Sequence, residues 1–294
     1  MNRFLYPVIY GLAFLLALLP FRILYLISDF FYFIIYYIGR YRRKLVWKNL
    51  CNVFPKKTQS EIRKIERDFY RHFCDYFVET IKLLHISDVQ MQKHFVFNNM
   101  EPVQHYLDKK QPIVLVLGHY GNWEWVPSIM LHLKIDADLI FGQVYRPLRN
   151  KTFDRFFLYL RKRFHSVGFT KHDVYRDIVN LRKEKKNWII GFMSDQKPSG
   201  NQIPYRMLFL NQETPVLTGT EKIARHTGAA VCYLDITCLK RGYYEGSIFV
   251  ISDHSSETSE FEITEKYIRC LEQTIFRNPS AYLWTHNRWR LKFK

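Results

Sequence analysis

From Phe4 to Phe21 the chain runs for 18 residues without a charge, and after Arg22 a second apolar and aromatic run continues to Ile38 with Asp29 its one charged side chain. Few environments accept such a segment. A helix crossing a bilayer needs about 20 apolar residues, and 18 or more without charge already qualify. Pro7, Gly11 and Pro20 interrupt the first run, and Pro20 with Arg22 is expected to bend or break the helix. Both one spanning segment followed by an interfacial helix and a single long tilted helix fit the pattern. Arg40, Arg42, Arg43, Lys44 and Lys48 come next, against Arg3 ahead of the run. By the positive-inside rule the remainder of the chain then lies in the cytoplasm, with those cations set against anionic head groups. Tyr32, Tyr36, Tyr37 and Tyr41 suit the boundary between water and lipid. A cleaved signal peptide fits less well, because the charge ahead of the run is thin and no small-x-small site precedes the bulky aromatics.

The formal charge is +17, yet 48% of the residues are hydrophobic and 17% aromatic. A disordered polycation lacks that apolar content, so a folded chain with an anionic partner is expected. The charge is localised: Arg146 to Lys186 holds 13 basic and 4 acidic residues, more than half of the excess. A phosphorylated membrane surface and an acidic carrier protein are its natural partners. Nucleic acid is not expected, since no zinc-finger spacing, RNP-like run or glycine-rich RNA loop accompanies the charge and an apolar N-terminus would go unexplained. Five cysteines with no Cys-x-x-Cys suggest free thiols, with neither a zinc site nor a disulfide framework.

Beyond the anchor, Thr58 and Glu61 form a capping-box pattern, and apolar residues recur from Ile62 to Leu84 at helical spacing. A short helix is expected from Glu101 to Lys109. Ile113 to Leu117 is an unbroken apolar run ended by Gly118, the mark of a fully buried strand of a parallel sheet. Further strands are expected at 137–143, 188–194 and 229–239, the last leading through Lys240-Arg241-Gly242 into a partner at 244–251. Helical patterns fall at 151–163, 174–185, 219–226 and 261–276. Strands alternating with helices argue for an α/β fold with a largely parallel sheet.

The sharpest local feature is Gly118-His119-Tyr120-Gly121-Asn122-Trp123-Glu124, directly after the best strand. Active sites of open α/β sheets lie at the carboxyl ends of strands. On a continuous helix a spacing of five would hold His119 and Glu124 about 140° apart. They are expected to meet with His119 in the loop and Glu124 in the first helical turn, as the two glycines permit. A carboxylate that orients one imidazole nitrogen leaves the other free as a general base. Such a pair can deprotonate a hydroxyl for attack on an activated acyl group without a serine, a cysteine, a metal or a cofactor.

The ordered set of Asn49-Leu50, Phe54-Pro55, the His119 to Glu124 motif, Tyr145-Arg146-Pro147 with Asn150, Asp195-Gln196, Phe209, Thr214, Gly219 and the ending Tyr282 to Trp289 resembles the late acyltransferases of lipid A biosynthesis. These stand within the glycerolipid acyltransferases that carry a His-x4-Asp/Glu motif. The resemblance covers nearly the whole chain. It implies a glycerolipid-acyltransferase-like fold and transfer of a fatty acyl chain, usually from acyl carrier protein, to a hydroxyl of an anionic glycolipid at the cytoplasmic face of the inner membrane. It makes His119 the base and Glu124 its partner, Arg146 a binder of phosphate or of the developing oxyanion, and Asn122, Tyr145, Asp195, Gln196 and Arg288 lining of the substrate cleft. Residues 1–44 are then the membrane anchor with its basic interfacial segment, and 45–294 the catalytic domain. An aminolipid or phospholipid acceptor, and a non-catalytic membrane scaffold, are the competing readings.

Overall fold

A computed structural model describes residues 5–134, 138–198 and 205–289. Nine strands are found among them: β1 (Phe95–Asn98), β2 (Ile113–Leu117), β3 (Ile140–Tyr145), β4 (Val167–Thr170), β5 (Trp188–Met193), β6 (Arg206–Phe209), β7 (Gln212–Pro215), β8 (Ala230–Lys240) and β9 (Tyr243–Ser252). Seven form one sheet in the order β1-β9-β8-β2-β5-β3-β4, parallel at every pairing except β8 with β9. β6 and β7 form a separate antiparallel hairpin. The largely parallel α/β architecture read from the sequence is the one observed, and residue 137, the expected start of β3, lies outside the described residues.

Every residue of β2 is buried, so both faces of the sheet are covered there. The helices Gln59–Lys82 and Glu262–Arg277 are the longest of the body. The first has the anticipated cap: the Thr58 side chain accepts from the Glu61 backbone N–H, while the Glu61 carboxylate accepts from the Thr58 N–H at 2.7 Å.

The N-terminal apolar run breaks as anticipated at Pro20, into the helices Leu5–Leu18 and Phe21–Phe33, the latter continuing as a π-turn to Ile38. Both lie against the body. Lys82, from the end of the long helix, donates to Ala17 O and Leu19 O at 2.8 Å each, satisfying carbonyls that the first helix leaves open. Phe21–Ile38 is the one stretch among the described residues that is long and apolar enough to cross a bilayer.

Candidate active site

β2 and β5 are neighbours, with Leu117 opposite Met193. His119 stands two residues beyond β2 and Asp195 two residues beyond β5, so parallel register delivers the two side chains to the same point at the carboxyl edge of the sheet. The turn between Leu117 and His119 needs glycine, because a Cβ on Gly118 would lie 2.4 Å from Leu271 Cδ1. Gly121 follows with φ +61°, a conformation that side chains disfavour.

His119 Nδ1 lies 2.6 Å from Asp195 Oδ1, and the His119 backbone N–H donates to Oδ2 at 3.2 Å. A buried carboxylate accepts, so Nδ1 carries the proton and Nε2 the lone pair. The Gln196 amide donates to that Nε2 at 3.2 Å. Burial alone would raise the Asp195 pKa. The His119 charge and the hydrogen bonds from its ring and backbone outweigh burial and hold Asp195 below the usual carboxylate value.

The expected contact between His119 and Glu124 does not form. Glu124 does occupy the first turn of the helix that follows, a 3₁₀ segment from Trp123 to His132. Its carboxylate instead meets Arg161, at the end of the helix Lys151–Arg161, with Nε to Oε2 at 2.8 Å and Nη2 to Oε1 at 2.6 Å. The guanidinium fork matches both carboxylate oxygens, a geometry one imidazole nitrogen cannot offer. Aromatic rings separate the two pairs: Trp123 stands edge-on to His119 with centroids 5.3 Å apart and against Tyr76 at 4.3 Å, and the Tyr76 hydroxyl donates to Glu124 at 3.4 Å. Arg161 is held above its usual pKa: burial would lower it, and the Glu124 charge prevails.

The chain's last described segment walls the site. Leu283 N–H donates to His119 O at 3.1 Å, Gly121 N–H to Ala281 O at 3.0 Å, and Tyr120 bridges to Tyr282. Burial and the Asp195 charge push the Tyr282 hydroxyl well above its ordinary pKa, so it stays protonated beside the carboxylate. His286 is pushed down to about 4 by burial, against the opposing pull of the Asp195 charge and with the help of the Arg288 and His119 charges. Arg288 is only 2% exposed; its Nη2 donates to Pro215 O at 2.7 Å, while Nε and Nη1 have no hydrogen-bond partner among the described residues. Desolvation lowers its pKa against the pull of Tyr282 and Asp195. Two buried donors with no acceptor among the described residues suit an anionic oxygen of a substrate.

The other residues singled out in the sequence fall elsewhere. Asn122 is fully buried and turns inward, donating to Glu79 Oε2 at 2.9 Å, so it anchors the His119 loop from behind. Tyr145 lies beside Arg161, its ring centroid 6.0 Å from the guanidinium carbon, and lines an open groove of about 1030 Å³ with Lys151, Arg155 and Lys162. Arg146 is exposed on the loop after β3, and no hydrogen bond or ion pair joins it to His119, Glu124 or Asp195.

With this geometry in view, the sequence profile of the bacterial lipid A biosynthesis acyltransferases matches residues 2–291. The chain belongs to that family. It is similar to the lipid A biosynthesis palmitoleoyltransferase of Escherichia coli K12, 22% identical over 254 residues, which cover 85% of this chain and 79% of the relative. The lipid A biosynthesis lauroyltransferase of the same strain is 22% identical over 290 residues, or 96% of this chain and 90% of the relative. A lipid A biosynthesis acyltransferase of Shigella flexneri is 22% identical over 254 residues. Arg161, Tyr76 and Glu79 of this acyltransferase were missed by sequence reasoning. Arg161 was counted within a basic cluster, and the end of a helix facing the motif was the one signal that set it apart.

Proposed function

We propose that this acyltransferase moves a fatty acyl chain from an acyl thioester, carried by acyl carrier protein, to a hydroxyl of a lipid A precursor at the cytoplasmic face of the inner membrane. The observation that carries the reading is the pair of His119 and the buried Asp195 at the ends of adjacent strands, with Nε2 as the unprotonated nitrogen. The acceptor hydroxyl takes the position that the Gln196 amide now fills against Nε2. His119 removes its proton as the oxygen bonds to the thioester carbonyl carbon; Asp195 stabilises the imidazolium. When the tetrahedral intermediate collapses the carbon–sulfur bond breaks, and the imidazolium returns the proton to the departing thiolate. The Nε and Nη1 of Arg288, without a partner among the described residues, supply donors for the oxyanion or for an acceptor phosphate. Glu124 and Arg161 act as one unit that fixes the Trp123 helix, and the basic surface from Arg146 to Lys186 suits an acidic carrier.

The test is turnover by purified protein with acyl carrier protein thioester and a lipid A precursor, read as the mass gain of one acyl chain. His119→Ala is expected to lose about 10²–10⁴-fold in kcat, the usual share of a general base. Unchanged turnover in a folded His119→Ala protein would remove the mechanism.

A further inference from the structure

We infer that the N-terminal helices lie flat in one leaflet of an anionic bilayer and that the chain does not cross it, an inference that rests on the membrane-bound reading above. The helix from Phe21 is fastened along its length to the long helix Gln59–Lys82. Tyr25 donates to Glu79 at 3.0 Å, Ser28 to Asp75 at 2.6 Å, and Tyr36 to Glu66 at 3.1 Å. As the first residue number rises the second falls, so the two helices run antiparallel and side by side. Asp29, midway along Phe21–Ile38, is paired at 2.7 Å with Arg241, which also binds Asp75 at 2.6 Å from the β8–β9 turn.

A spanning Phe21–Ile38 would therefore take Asp29, Arg241 and Asp75 to the bilayer centre. The long helix would follow, with Arg63, Lys64, Arg67 and Asp68 on it. Charges at that depth are costly, and a whole charged helix is not accommodated. The polarity of the segment also runs opposite to that of an ordinary surface helix. Tyr25, Ser28 and Tyr36 face the body, while Leu26, Phe30 and Phe33 are exposed, as are Leu12, Leu15 and Leu18 of the preceding helix. Arg22 near its start, and Arg40, Lys44 and Lys48 just beyond its end, are exposed as well. An apolar face flanked by cations is what an in-plane interfacial helix presents to anionic lipid.

The experiment places one epitope ahead of residue 1 and another after residue 294 of the full chain, and exposes sealed vesicles to protease. In inside-out vesicles both epitopes are expected to be lost; in spheroplasts neither. Loss of the N-terminal epitope from spheroplasts alone would show a crossing and overturn the inference while leaving membrane attachment intact. Protein recovered wholly in the soluble fraction, including as a lipid-free dimer with a second copy on this face, would overturn the inference and the membrane-bound reading together.

Discussion

Substituting the two carboxylates separately tells which of them serves His119. When His119 takes a proton, Nδ1 stands 2.6 Å from Asp195 Oδ1. With the charge centres about 4 Å apart and an effective dielectric constant of about 20, the attraction is about 4 kcal/mol. Asp195→Asn keeps the shape and removes the charge. It is expected to cost about three decades of kcat, at about 1.4 kcal/mol per decade, with little change in melting temperature. Glu124→Gln leaves the Arg161 guanidinium, 19% exposed, without its counter-charge. Breaking a buried pair by removing one partner costs about 3–5 kcal/mol, and the partial exposure of Arg161 puts this case near the lower end. At about 2–4 °C per kcal/mol for a chain of this size, Tm is expected to fall by about 6–12 °C. Turnover per folded molecule, measured well below both transitions, is expected to suffer far less than in Asp195→Asn. The assay combines single-turnover acyl transfer with thermal unfolding. If Glu124→Gln abolishes turnover at unchanged Tm while Asp195→Asn stays within tenfold of wild type, Glu124 is the partner of His119 in the working enzyme and the reasoning fails.

Arg288→Met exchanges a buried, half-paired charge for an apolar side chain; Tm should hold or rise while KM for the phosphorylated acceptor increases, and an unchanged KM would deny the guanidinium an anion. Glu79, raised to about 7 by burial and by the Asp75 charge, binds its proton more tightly folded than unfolded. Its contribution to stability is therefore complete below about pH 4 and lost as pH rises through about 7, on the order of 3 kcal/mol; Glu79→Gln should flatten the fall in Tm between pH 5 and 8, and parallel curves for the two proteins would contradict this. Lys82→Met removes the donor to Ala17 O and Leu19 O, and limited proteolysis near Pro20 should accelerate severalfold; equal cleavage rates would mean the cap holds nothing.

Elements whose reasons are local were legible in the sequence. The five buried residues of β2, the capping box at Thr58 and the long hairpin of β8 and β9 each carry their own signal. Short edge pieces do not. β1 and β4 have four residues each, and the β6–β7 turn is made by Leu210 and Asn211 at φ 50° and 62°, without the glycine that would have announced it. The same division runs through the site. His119 stands out because it ends a strand, and Asp195 because it ends another. Their pairing depends on β2 lying next to β5, a matter of sheet order that no spacing along the chain encodes. Glu124, five residues from His119, looked like its partner because sequence proximity was the one distance available; the fork of Arg161, folded back from the end of its helix, takes it instead.

The strip from Ala281 to Leu283 closes over His119 and Gly121 by backbone hydrogen bonds, so the His119 loop receives one wall from a segment far along the chain. Contacts that distant in sequence close a large loop, and its entropy cost is met only once the intervening sheet is in place. The candidate site is therefore expected to take its final shape late in folding, after β2, β5 and the helix Glu262–Arg277 have packed.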